Sequence, residues 1–319
     1  MKKTKSVMVI ISMLIFIFGC AASSNFLPFG KSSFKIIDNE EFNKIASKGS
    51  RVKKIAGAFI FTEGPVWVNE DDGDGFLIFS DIQGNKLRKW SSKDGVSIFR
   101  EISNHANGNT LDLQGRLITC EHGSRTVTRT DKNGKITTLI SRYKGKKLNS
   151  PNDPVVKSDG TIWFTDPTYG LIDSGERKEQ PKNYVFRLDP KTRKITPVVS
   201  NFSAPNGICF SPDEKKLYIA DTGEGHIRVF NVKNNNTLDK GKIFCDIGMP
   251  DGIRCDSEGR LYSSAMDGVH IFSPDGSLIG KILVPEMPAN LGFGGENNQT
   301  LFITARTSLY AVKLKVKGK

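Results

Sequence analysis

The feature that most constrains this chain is an internal repeat. The stretches EGPVW (63–67), PNDPV (151–155), PNGIC (205–209) and PDGIR (250–254) each place a carboxylate or carboxamide beside Gly or Pro, just ahead of a strand-like run. With Asn107 and Asn290 added, the anchors Glu63, Asn107, Asn152, Asn206, Asp251 and Asn290 recur at spacings of 44, 45, 54, 45 and 39 residues. After each anchor the pattern runs strand, tight turn, strand, loop, strand, and often a fourth strand. In the fourth copy, 207–210 leads through the turn SPDE into 217–220 and then 227–231; the fifth repeats this with 252–255, the turn DSEG, 261–264 and 269–272. Units of roughly 45 residues with four short strands are propeller blades. The expected fold is therefore an all-β, six-bladed β-propeller with four-stranded antiparallel blades. A pair of β-sandwiches would not explain a six-fold period. The last copy runs out after three strands, 291–294, 301–304 and 309–314, so its outer strand is expected from Val52–Ala56. Closing the ring with this N-terminal strand removes an exposed sheet edge.

In such a blade the start of the first strand and the end of the second share a face, and first strands line the central channel. The anchors therefore converge on one channel mouth. The second-strand ends Asp81, Glu121 with His122, Asp166, Asp221 and Asp267 come near the same face. Glu63, Asn152, Asn206 and Asp251 supply two carboxylates and two amide carbonyls, the donors that hard divalent cations take. Ca2+ is the expected ion, with Zn2+, Mg2+ or Mn2+ as alternatives. Asn or Asp before Gly can simply make a turn. That accounts for any one copy, but not for four equivalent positions with Glu63 in one of them. Asn107, Asp153, Asp166 and Tyr169 are candidates for substrate contact. His122 is either a proton acceptor or a structural residue, while His105, His226 and His270 are read as surface or packing residues.

The first twenty residues read as a signal peptide of the lipoprotein type. Lys2, Lys3 and Lys5 precede the apolar run 7–19, too short to span a bilayer, and Cys20 follows, ahead of small residues. Cys20 is the expected lipidation site, with ordinary secretion as the alternative. Residues 21–50 are a tether and lead-in, and 51–317 the propeller. The protein is expected to be exported from a bacterial cytoplasm and lipid-anchored at the cell envelope. Cys120, Cys209, Cys245 and Cys255 form no CxxC pair, which argues against zinc or redox motifs; they are read as buried thiols, with a disulfide as the alternative. The net charge of +12 is scattered through turns, without the aromatic-interleaved basic stripe that nucleic acid would require. The acidic run 70–75 lacks the Glu of a calcium loop and reads as a turn on the face opposite the anchors. The third repeat is longer, and its excess, 168–183, falls on the anchor face as either a ligand cover or a plain insertion. No GxSxG elbow or HExxH helix is present.

The stretches FTEGPVW, NGNTLDLQGRLITCEHG, LNSPNDPVVKSDGTIWFTDPTYG, PNGICFSPDEKKLYIAD and PDGIRCDSEGRLY resemble the gluconolactonase, regucalcin (senescence marker protein) and luciferin-regenerating-enzyme-like family over roughly residues 50–315. The resemblance implies a metal-dependent lactone hydrolase. Its metal residues match Glu63, Asn152, Asn206 and Asp251, and Asp251 is in addition the implied general base. The implied substrate is a small lactone or ester, with a sugar lactone opened to its aldonic acid. Ser150 stands where animal members carry an Arg, so their sugar-orienting contact does not carry over. Hydrolysis of other esters or phosphotriesters at the same site, and a non-catalytic ligand-binding propeller, are the competing functions. Neither the oligomeric state nor the particular lactone is legible.

Overall fold

The computed structural model of the protein describes residues 32–47, 49–70 and 75–319. The signal peptide, Cys20, positions 21–31 and 48 of the tether and lead-in, and positions 71–74 of the acidic turn lie outside the described residues.

Six antiparallel blades form the ring. Blade one comprises Thr62–Asn69, Gly75–Asp81, Lys86–Ser91 and Gly95–Arg100, and blade two Ala106–Leu111, Leu117–Glu121, Thr126–Thr130 and Ile136–Ile140. Pro154–Val156, Ile162–Asp166, Tyr184–Leu188 and Ile195–Val199 make blade three; Pro205–Phe210, Lys216–Asp221, His226–Asn231 and Lys242–Asp246 make blade four. Blade five is Ile253–Cys255, Leu261–Ala265, Gly268–Phe272 and Leu278–Ile282. Blade six takes Pro288–Gly294, Thr300–Ala305 and Ser308–Lys313 from the chain's end, and its outer strand is Lys53–Ala56, paired with Ser308–Lys313. The expected N-terminal closure is thus formed.

The lead-in does more than reach that strand. Phe34–Ile36 adds a fifth strand to blade five, against Leu278–Ile282. A helix, Asn39–Ile45, follows, with Asp38 accepting the Glu41 amide at 3.0 Å as its N-cap. Phe42 and Ile45 bury their side chains in the cluster shared by blades five and six, and Phe34 meets Phe42 edge-to-face at 5.2 Å. Each such buried side chain is worth about 1.5–3 kcal/mol.

Between blades the core consists of apolar layers such as Ile118, Cys120, Phe164 and Phe186 between blades two and three. Near the axis the inner strands approach too closely for side chains. A Cβ on Gly207 would lie 2.3 Å from the Asp251 carbonyl oxygen, and one on Gly108 2.4 Å from that of Asn152. This is why Gly follows so many anchors: only glycine lets adjacent inner strands touch at the channel mouth. Hydroxyls on second strands tie blade one to two, three to four and five to six, with Ser80 donating to the Asn107 carbonyl at 2.5 Å, Thr165 to that of Asn206 at 2.8 Å and Ser264 to that of Ala289 at 2.6 Å.

Candidate active site

Register breaks at the start of the inner strand accompany four of the six anchors, while Asn152 and Asp251 stand just ahead of inner strands that pair without a shift. Pairing shifts between Glu63 and Val66, Ala106 and Asn109, Pro205 and Ile208, and Pro288 and Asn290. A bulge at the head of a strand re-aims the side chain it carries. Glu63 is buried, and its Oε2 accepts the Gly64 amide at 2.5 Å and Asn290 Nδ2 at 2.8 Å. The blade-six anchor therefore steadies the blade-one anchor. Asn206 Nδ2 donates to Thr222 Oγ1 at 3.0 Å, and its amide favours the ionised form of Asp251. Asn152 is buried in the same inner ring, and no side-chain hydrogen bond engages it among the described residues.

The electrostatics single out Glu63 and Asp251. Burial first, and then the charge of Asp153, push the Glu63 carboxyl up to about 7. Asp251 keeps partial solvent contact, yet enough protein surrounds it that burial, followed by the charges of Glu63 and Asp153, lifts it well above the usual carboxylate range. Asp153 is the third carboxylate of this group and is fully buried. Arg254 grips it with Nη1 to Oδ2 at 3.0 Å and Nη2 to Oδ1 at 3.3 Å. Three acids thus face one cation, and that cation is committed to Asp153.

A second cluster adjoins on the blade-two side. Asn107 Nδ2 contacts His122 Nε2 at 3.2 Å, while Asn107 Oδ1 is buried without a partner. Burial, then His105, lowers His122 to about 4, so its imidazole is neutral at neutral pH. Gly170 rests on it, since a Cβ there would lie 2.6 Å from His122 Cβ. Gly170 belongs to the insertion 168–183, which contains the helix Tyr169–Ser174. Arg125 holds that insertion down, with Nη1 on Glu176 at 2.9 Å and Nε on the Leu148 carbonyl at 2.7 Å. Tyr169 reaches Asn206 Nδ2 at 3.5 Å, and burial raises its phenol far above the usual range.

The second-strand carboxylates are already engaged. Glu121 accepts from the Asn104 and Thr128 side chains and pairs with Arg100, Asp267 holds His270 and Lys281, and Asp81 pairs with Arg88. Further bonds go to backbone. Asp81 accepts the amides of Ile60 and Phe61 at 3.0 and 3.3 Å, and Asp221 those of Ser203 and Ala204 at 2.9 and 2.8 Å. Asp166 accepts the Asn149 amide at 2.9 Å; burial lifts it to about 7, and its Oδ1 has no partner. Asp81, Asp166 and Asp221 each secure the loop two or three residues ahead of their own blade's anchor. The expectation of a wider oxygen ring therefore contracts to the inner anchors. Arg254 is the residue that sequence reasoning missed: its partner lies 101 positions away, on another blade.

Among the described residues no cluster of three or more His, Cys, Asp and Glu side chains is assembled as a metal site. The group here is of another kind, two carboxylates with amide oxygens beside them. Its uncompensated negative charge, together with the amide oxygens alongside, fits a hard divalent cation.

A protein-family model described as SMP-30/Gluconolactonase/LRE-like region matches residues 61–307. The chain belongs to that family. Among relatives, a gluconolactonase from Zymomonas mobilis is 36% identical over 296 residues, covering 84% of this chain and 82% of that protein. A solved gluconolactonase from Xanthomonas campestris, 34% identical, superimposes with a TM-score of 0.82 over 88% of this chain and 94% of its own. Regucalcin from Agrobacterium tumefaciens, described as a calcium-binding protein, shares the family's fold at 19% identity, with a TM-score of 0.69 over 85% of this chain and 95% of its own.

Proposed function

We propose that this chain is a lactone hydrolase that opens a sugar lactone to its aldonic acid with the help of one divalent cation, Ca2+ by preference. Membership of the gluconolactonase family and the named lactone-hydrolysing relatives support the reaction class. The observation that carries the cation is the surplus of buried carboxylate: Glu63 and Asp251 are both lifted, and Arg254 is bound to Asp153. Glu63, Asn152, Asn206 and Asp251 would hold the ion. When bound, it supplies a Lewis acid that draws charge onto the lactone carbonyl oxygen and favours the ionised carboxylates.

The chain's own residues do the rest. Asp251, next to the open mouth, accepts a proton from the water that attacks the acyl carbon; the ring C–O bond breaks, and Asp251 returns the proton to the departing alkoxide oxygen. The Asn206 amide favours the ionised form of Asp251. His122 is the weaker candidate for that role. Its basicity is depressed by burial, and its Nε2 is engaged with Asn107, so its part is to position that amide. Asn107 and Tyr169 border the space a sugar would occupy. Asp153 does not need to contact substrate, because Arg254 takes both of its oxygens.

The deciding experiment is a hydrolysis screen over sugar lactones, acyl-homoserine lactones, aryl esters and phosphotriesters, run across metal concentration after stringent chelation. Sugar-lactone turnover that disappears with the chelator and returns with Ca2+ is the expected result. Undiminished turnover without metal would overturn the role of the cation, and turnover of aryl esters or phosphotriesters alone would overturn the substrate class.

We further propose export with a lipid anchor at Cys20. Cys20→Ala is expected to leave membrane fractions and to keep its hydrolase activity; a variant that still sediments with membranes would rule the anchor out.

A further inference from the structure

Cys209 ends five residues into the inner strand of blade four, and Cys255 closes the inner strand of blade five. Their Sγ atoms are in contact at 3.7 Å, and both side chains are buried. This is the one sulfur–sulfur contact among the described residues, and both thiols are free here. The two strands belong to different sheets and touch nearer the site, where the Gly207 amide donates to the Asp251 carbonyl at 3.2 Å. Both cysteines line a cavity of about 430 Å3, together with Phe210, Arg254, Phe293 and Lys319. A small reagent in that cavity therefore meets both residues.

We propose that Cys209 and Cys255 are a modification site, an inter-blade disulfide formed by exchange with a small-molecule disulfide. One cysteine gives up its proton and attacks RS–SR, forming a mixed disulfide and releasing RSH. The other then attacks the cysteine sulfur of that mixed disulfide, forming the Cys209–Cys255 bond and releasing the second RSH. The balance is two protein thiols and one RSSR giving one protein disulfide and two RSH. Bonding requires the sulfurs to close to roughly 2.0 Å, a movement within reach of side-chain rotation on two adjoining strands. Among the described residues Cys120 and Cys245 have no such neighbour, so they stay reduced. The bond would clamp the strands that carry Asn206 and Asp251, three and four residues upstream of the two cysteines.

The test uses the full chain, reduced and then incubated with hydroxyethyl disulfide, acid-quenched, unfolded, alkylated and mapped by peptide mass spectrometry. The expected result is that the Cys209 and Cys255 peptides are joined and 2 Da lighter, while Cys120 and Cys245 are alkylated. Closing a loop of this length should raise Tm by about 5–10 °C over the reduced protein. Cys209→Ala and Cys255→Ala should each lack that gain. Recovery of both cysteines as alkylated thiols, or as hydroxyethyl mixed disulfides that never close, overturns the proposal, and the wild-type map decides it even if neither variant folds.

Discussion

Carboxylates stand at both ends of these blades, and the two ends treat them in opposite ways. In the hairpins away from the site, each acid is consumed by its own turn. Asp112 accepts the amides of Gln114 and Arg116, both at 3.0 Å, and Asp131 those of Asn133 and Lys135, both at 2.9 Å. Hydrogen bonds from Ser211 and the Lys215 amide hold the Asp213 carboxyl below its usual range. At the channel mouth, Glu63 and Asp251 are pushed the other way by burial and by each other's neighbourhood. The residue types are the same, and both sets recur with the blade. What differs is whether the acid's lone pairs are already spent, and an acid left unspent in a buried place keeps its proton or, under the proposed function, takes a cation from outside.

The largest test of that contrast compares Asp251→Asn with Glu63→Gln. Both remove a negative charge, and metal affinity should fall on the order of a hundredfold in each as the ligand charge count drops. Only the first also removes the proton acceptor, so its kcat/KM should stay about 10³-fold down even at saturating metal. Lactone hydrolysis against metal concentration measures both effects. An Asp251→Asn enzyme restored fully by metal would take the base away from that residue.

A second test reads the unspent charge as stability. Glu63 rises from its ordinary 4.5 in the unfolded chain to about 7 in the folded one. The folded state then holds a proton that the unfolded state has released, so its contribution is complete below pH 4.5 and is lost as pH climbs to about 7. The gap corresponds to on the order of 3 kcal/mol. Metal-free wild type should therefore lose stability relative to Glu63→Gln between pH 5 and 7.5, measured by denaturant unfolding. His122 works in the opposite sense and in both proteins: its depressed pKa costs stability as pH falls from 6.5 towards 4. Saturating Ca2+ should flatten the Glu63 difference. Equal pH slopes in the metal-free proteins would mean that Glu63 is not held in an unfavourable ionised state.

Much of this could be read from the chain, because the fold repeats and the repeat carries the site. The anchors gave away the blade count, the closing strand and the convergence of Glu63, Asn206 and Asp251, since a propeller turns equal spacing into a shared axis. What lay hidden depends on partners that no spacing encodes. Arg254 reads as an ordinary strand residue until blade three delivers Asp153 to it. Asp81 and Asp221 look like ligands until the backbone amides ahead of each anchor claim them. The helix Asn39–Ile45 did leave a signal, Asp38 three residues before Glu41 with Phe42 and Ile45 on one face, but about two turns of helix are short enough to pass for a tether.

The smallest effect belongs to the other end of the blades, and it is the control that gives the large ones meaning. Asp213 is an exposed turn acid, accepting from Ser211 Oγ at 2.7 Å and from the Lys215 amide at 3.1 Å. Both bonds end on Oδ1, so Asp213→Asn keeps an oxygen that can accept them, weakened by the loss of charge, and removes a charge that water screens well. Stability should fall by about 0.5 kcal/mol, with metal affinity and kcat/KM unchanged. The same loss of one carboxylate charge, made at Glu63, should cost metal binding heavily. Matched titrations of the two variants with Ca2+, at equal ionic strength, measure that difference directly. If Asp213→Asn weakened the metal as much as Glu63→Gln, the cation would be responding to the protein's total charge, and the buried ring at the channel mouth would have no special claim on it.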